Sequence, residues 1–405
     1  MAEKLLGCAH SCIRRRENFH IFLYKLSVRC ILKEVRLACE RGMGMIKIHQ
    51  KRLKVVTENM KREGLPQILV SSTASVYYLT GLWVEPMERL LVLYIREDGE
   101  CAMFGNALFG LTPGGDAPLY VHTDADDPLK DLIKVVRPGV LGIDKTWSSN
   151  HLLSLMQQRP DVAPRVGSAP VDEARMHKDE EEIAALRSAS LINDEVMQAS
   201  LAAVKEGAAE KEMAAFVEHQ FALHGADRST EGMITSFGAN CADPHHSPDN
   251  TLVKRGDSMV FDIYIPIQRY WCDMTRTAFF KEVSEEDRKI YETVRQANLA
   301  AEAMIRPGVR MCDIDHTARQ IIEDAGYGPY FTHRLGHGLG IDCHEPPDNG
   351  AACQLKAEPG MVFSVEPGIY LPGKMGVRIE DLVLVTPTGC EVLNHYNKDL
   401  QILCR

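Results

Sequence analysis

The chain has 405 residues, 45% of them hydrophobic and 25% charged, values of a globular protein long enough to build two domains. Forty-six basic against 56 acidic side chains leave a net charge of -10, which argues against nucleic acid as a partner. No run of about 18 apolar residues occurs, so a membrane span is not expected, and the twelve cysteines contain no C-x-x-C pair, as suits reduced thiols in a cytoplasmic protein.

Residues 1–45 stand apart. They carry nine basic and four acidic side chains, the run Arg14-Arg15-Arg16, and Cys8, His10 and Cys12. Lys25 and Arg29 interrupt the only apolar stretch, so a signal peptide is not supported. This segment is expected to be an extension upstream of a start at Met43 or Met45, with a basic appendage touching a membrane or partner as the alternative.

From Ile46 a helix is predicted, with Leu53, Val56 and Met60 on one face and a stop at Gly64. Strand patterns follow at Gln67–Val70, 76–79, 90–95, 101–104, 119–122 and 140–144, with a helix over 128–136. This makes residues 46–172 an α/β unit, and no glycine-rich phosphate loop appears in it. The pattern turns helical over 175–207, with the acidic run Asp179 to Glu182 as a helix start. Residues 173–405 then mix helices (210–224, 285–305, 311–325) with paired strands (258–265, 270–280, 361–365, 377–385), an α+β arrangement.

Four carboxylates fall inside those apolar strand patterns: Asp262 in MVFDIYI, Asp273 in YWCDMT, Glu366 after VFSV, and Glu380 in VRIEDLV. Carboxylates are rarely buried unless paired or metal-bound. A hairpin turning near 266–269 would set Asp262 and Asp273 on one face, because side chains alternate along strands. Four such charges repel by about 4 kcal/mol per close pair at an effective dielectric of about 20, and two divalent cations would cancel them. One imidazole would complete a ligand set suited to manganese, or to cobalt, iron or zinc; the candidates lie in THRLGHGLG and the CHEPP that follows, a segment with three histidines in which Gly336 and Gly338 beside His337 would allow close approach and unusual φ/ψ. A second histidine cluster, DPHHSP, precedes the Asp262 strand.

The strings MVFDIYIPIQRYWCDMTRTAFF, HRLGHGLGIDCHEPP, EPGMVFSVEPGIY and GVRIEDLVLV resemble, in order, the motifs of the creatinase/prolidase/methionine aminopeptidase family. The resemblance implies a pita-bread catalytic domain over 173–405, preceded by a smaller α/β creatinase-like domain over 46–172. It implies that Asp262 holds one metal ion, His337 and Glu366 the other, and that Asp273 and Glu380 bridge the two. The family's further active-site histidines fall on His245 and His344. Metal-free creatine hydrolases of this fold lack the full set, whereas all five ligand positions are filled here.

The activity this implies is hydrolysis of the Xaa-Pro bond of dipeptides or short peptides by a homodimer, through a hydroxide bridging two ions. Glu366 would carry the proton and His245 or His344 would stabilise the oxyanion. Thr275 and Arg378 lie beside ligands and are expected to orient them. The N-terminal domain favours Xaa-Pro enzymes over methionine aminopeptidases. Dipeptide specialists place an arginine between the His344 and Glu366 motifs, whereas 348–359 holds only Lys356, and Tyr264 stands where relatives often have glycine. A lyase acting on a small sulfonium compound, and a non-catalytic binding protein, are the alternatives on the same fold.

Overall fold

The computed structural model describes residues 44–227 and 233–404, which divide into two compact units between Ser168 and Ala169. The expectations for the basic N-terminal segment, with Cys8, His10, Cys12 and a start at Met43, lie outside the described residues. Asp172, the expected boundary, falls inside the helix Ala169–Met176.

In the first unit the helix Gln50–Glu63 buries Leu53, Val56 and Met60, and Gly64 ends it in the left-handed region that glycine enters without strain. Six strands follow: β1 (Gln67–Val70), β2 (Leu91–Arg96), β3 (Cys101–Asn106), β4 (Leu119–His122), β5 (Gly139–Ile143) and β6 (Val162–Val166). They form one mixed sheet in the order β4-β3-β2-β1-β5-β6, packed around Leu69, Val92, Phe104 and Leu141.

Two expectations fail in this unit. The segment read as a strand at 76–79 is part of a helix, Thr73–Thr80, because Ser72 caps its start by accepting from the Ser75 amide and Gly81 closes its end. The helix expected over 128–136 is regular only at Leu132–Val135; before it Asp127 accepts from the Leu129 amide and holds the chain in turns.

The second unit carries β7 (Ile234–Phe237), β8 (Ser258–Ile267), β9 (Tyr270–Phe280), β10 (Gly336–Gly338), β11 (Glu345–Asn349), β12 (Val362–Val365), β13 (Gly368–Leu371), β14 (Met375–Arg378), β15 (Asp381–Val385), β16 (Cys390–Val392) and β17 (Gln401–Leu403). Their sheets run β17-β9-β8-β7, β11-β10-β12-β15-β16 and β13-β14. Helices Glu180–Ala203 and Glu210–Leu223 cover one face of the β8–β9 hairpin, burying Phe261, Ile263, Cys272 and Met274. Helices Glu285–Met304 and Met311–Asp324 cover Phe363, Val365 and Val383. Each buried Phe or Ile is worth about 1.5–3 kcal/mol, so these faces hold the hairpin flat against its helices while the opposite faces meet at the site.

The helix predicted over 175–207 is broken at Lys178, whose amide donates to the Gly360 carbonyl; Asp179 then restarts it with a capping box to Glu182. The strand predicted over 377–385 is two strands in different sheets. Between them Ile379 and Glu380 send their amides to Pro367 and Thr275 carbonyls, so the chain changes sheet at Glu380.

Candidate metal centre

The hairpin register pairs Asp262 with Thr275 and Tyr264 with Asp273, so all four side chains leave the face opposite the helices. Gln268 and Arg269 turn the hairpin with φ of 52° and 72°, both in the left-handed region. His337 arrives on β10, where the register slips between His337 and Gly338 and re-aims the chain. A side chain at Gly336 would run into the Ser364 carbonyl, and one at Gly338 would meet the Pro346 carbonyl, so the flanking glycines serve close approach and not unusual dihedrals. Glu366 follows β12, and Glu380 sits at the change of sheet.

These elements converge on a cavity of about 840 Å³, whose wall includes Asp262, Asp273, His337, Glu366 and Glu380 together with His245, His344 and Arg378. Ligand atoms of Asp273, His337 and Glu380 all lie within 4.8 Å of one another. His337 Nε2 is 3.5 Å from Glu366 Oε1 and 3.8 Å from Asp273 Oδ2. The His344 ring centroid lies 4.1 Å from that of His337.

The carboxylates are each half satisfied. Asp262 Oδ2 accepts from Arg378 Nη2 at 2.7 Å, and Glu380 Oε2 from Thr275 Oγ1 at 2.8 Å. Glu366 Oε1 accepts from Ser364 Oγ at 3.1 Å, and Asp273 Oδ2 meets the Cys343 thiol at 3.7 Å. The other oxygens of Asp262, Asp273 and Glu380 are buried and have no hydrogen-bond partner. Buried acceptors without donors are costly and rare, and here three converge on one space. Such a donor set fits divalent cations, with oxygens and one imidazole as ligands.

Charge tells the same story. Four carboxylates gather around Arg378, which pairs directly with Asp262 at 2.7 Å. Burial first, then Asp262 and Glu366, push the Asp273 carboxyl well above its ordinary range. Burial and the same neighbours, with Asp273, do so for Glu380. Burial lifts Glu366 to about 7 against the pull of Arg378. His337 is driven down to about 3 by burial and by His344, so it presents a neutral imidazole, the form that ligates.

Arg378 and Thr275 sit where orienting residues are expected. Arg378 Nε donates to Thr275 Oγ1 at 3.1 Å, and that hydroxyl donates onward to Glu380. Arg378 Nη1 reaches Tyr370 Oη at 2.9 Å and the Pro244 carbonyl at 3.2 Å. Sequence reasoning missed Ser364, Tyr370 and His333. Ser364 was legible in principle: on β12, two residues before Glu366, it accepts from the His337 amide at 2.9 Å and so ties two elements. Nothing in spacing marks Tyr370, on β13, and His333, on the loop before β10, which bond each other at 2.8 Å.

Residues 184–387 match the model of metallopeptidase family M24, and residues 52–177 that of the creatinase/prolidase N-terminal domain. The YkvY protein of Bacillus subtilis is 35% identical over 369 residues, which cover 87% of this chain and 99% of that protein. Among solved structures, a prolidase from Thermococcus sibiricus is 32% identical with a TM-score of 0.83, over 88% of this chain and 99% of that one. An X-Pro aminopeptidase from Thermotoga maritima is 26% identical with a TM-score of 0.76, over 87% of this chain and 99% of that one. The chain therefore belongs to metallopeptidase family M24, as a peptide-bond hydrolase whose catalytic half follows a creatinase/prolidase-type N-terminal domain.

Proposed function

We propose that the chain hydrolyses the Xaa-Pro bond of dipeptides or short peptides with two divalent ions, manganese first among those to test. Asp262 would hold one ion, His337 and Glu366 the other, and Asp273 and Glu380 both. The observation that carries this reading is the set of three buried, donor-free oxygens on Asp262, Asp273 and Glu380. Relatives of similar length and fold that carry the names prolidase and X-Pro aminopeptidase support the substrate class.

Divalent ions bound there supply Lewis acidity and an activated water at neutral pH. The protein's own groups do the rest. Glu366, on the cavity wall beside His337, can take a proton and hand it to the leaving nitrogen. His245 and His344 line the same cavity and can donate to an oxyanion, a role worth about 3–4 kcal/mol per well-placed donor. Arg378 fixes Asp262 and, through Thr275, Glu380. Arg334, the second cation on the cavity wall, is held by one exposed ion pair to Asp348 at 2.7 Å and is available to a substrate carboxylate. That availability favours dipeptides despite the missing arginine over 348–359.

Proline release from Xaa-Pro dipeptides and Xaa-Pro-Yaa tripeptides, with metal-stripped and manganese-reloaded protein, tests the reading. Manganese-dependent cleavage that disappears in Asp273→Ala is expected, and the dipeptide-to-tripeptide ratio chooses between prolidase and aminopeptidase activity. Two bound ions without cleavage would sink the substrate assignment and send the search to sulfonium compounds. The same reading has the enzyme act as a cytoplasmic homodimer, so sedimentation at the mass of a single chain would remove that part of it.

A further inference from the structure

His245 stands on the loop between β7 and β8, exposed at the cavity, and the chain on either side of it is held. On one side the Pro244 carbonyl accepts from Arg378 Nη1 at 3.2 Å. On the other, His246 Nε2 lies 2.8 Å from Glu210 Oε2. Glu210 comes from a different element, the first turn of the helix Glu210–Leu223, and is 0% exposed.

Both oxygens of its carboxylate accept hydrogen bonds. Oε1 accepts from the Phe237 amide at 2.7 Å and Asn240 Nδ2 at 3.0 Å. Oε2 accepts from the Asp249 amide at 3.0 Å and from His246, whose proton a carboxylate partner sets on Nε2. Glu210, His246 and Asp249 group like metal ligands, yet these donors already fill both carboxylate oxygens. The side chain instead ties the end of β7 to the far side of the His245 loop.

We propose that Glu210 is the positioning residue for His245, acting through His246. This rests on the reading that His245 assists the hydrolysis. The carboxylate holds the loop at His246 and Asp249 while Arg378 holds it at Pro244, so the residue between the two anchors is fixed over the cavity. The arrangement requires a carboxylate specifically. Each oxygen faces one backbone amide, so a glutamine of the same shape turns its own NH2 against an N–H whichever way it is flipped.

Steady-state kinetics of manganese-loaded enzyme on an Xaa-Pro dipeptide, run as a double-mutant cycle, test this. Glu210→Gln lowers kcat about 10-fold or more with manganese content retained, and changes kcat less than about 2-fold when His245→Ala is already present. His246→Ala, which removes the link from Glu210 to the residue beside His245, has the same effect, and His246→Gln, which keeps a donor toward Glu210, restores activity. In the metal-free protein, Glu210→Gln raises deuterium uptake across 243–249 and leaves β8 and β9 unchanged. Equal losses from Glu210→Gln in both backgrounds, or wild-type kcat in His246→Ala, would overturn the proposal while His245 kept its role. Wild-type kcat in His245→Ala, or no turnover of any Xaa-Pro peptide by the wild type, would remove the reading beneath it.

Discussion

Arg378 donates to Asp262, Thr275, Tyr370 and the Pro244 carbonyl from three nitrogens of one planar group. A lysine keeps the charge but not the fork, so it can serve only one or two of those acceptors. Arg378→Lys is expected to fold and to bind manganese about 10- to 100-fold more weakly, read by titration of the stripped protein. His333 shows burial acting together with a nearby charge. Burial, then the charge of Arg378, hold its imidazole down to about 4 in the folded chain, against 6.5 when exposed. Between those values the unfolded chain takes up a proton that the folded chain refuses, so stability falls as pH drops from 6.5 to 4. His333→Gln should flatten that acid limb in thermal melts recorded from pH 7 to 4; an unchanged limb would show that the imidazole is not what holds the proton out.

At the scale of elements, the β8–β9 hairpin sets the distance between Asp262 and Asp273, and its turn is its weakest part. Gln268 adopts a positive φ at an exposed position, which costs about 1 kcal/mol or more for a residue other than glycine or asparagine. Gln268→Asn should raise the unfolding free energy by about 0.5 kcal/mol with kinetics unchanged, measured by urea melts. The hairpin was legible in the sequence because two apolar strand patterns flank a short turn near 266–269, and the acid inside each, Asp262 and Asp273, marks the face turned away from the apolar core. The break within the strand predicted over 377–385 was not, since VRIEDLVLV reads as one strand and carries no sign that its middle changes sheet; that change depends on the Thr275 and Pro367 carbonyls, which come from other parts of the chain. Thr73–Thr80 was misread for a related reason: a short run of mixed apolar residues fits either period, and only the Ser72 and Gly81 ends decide it. The proposed ligands Asp262, Asp273, Glu366 and Glu380 stood out because buried acids contradict their surroundings. Glu210 did not, because an acid in the first turn of a helix is ordinary there and its burial by a distant loop is a tertiary fact.

For the whole molecule, the cluster of acids means that the fold and its cations depend on each other. Without metal the second unit must either hold like charges at close range or take up protons to relieve them, so Asp273→Asn should melt higher than wild type when both are stripped, by about 3 °C or more. With manganese the order should reverse, because anything bound to the folded chain alone adds stability and the variant forfeits that gain. Scanning calorimetry of both proteins, stripped and reloaded, checks the crossover. The raised affinities of Asp273, Glu380 and Glu366 for protons have a further result. Near neutral pH the empty site stores protons, which entering cations must displace. Loading is therefore an acid-releasing exchange: the heat measured on titrating in manganese will vary with the ionisation enthalpy of the buffer, and acidifying the medium will strip the enzyme well before it unfolds it.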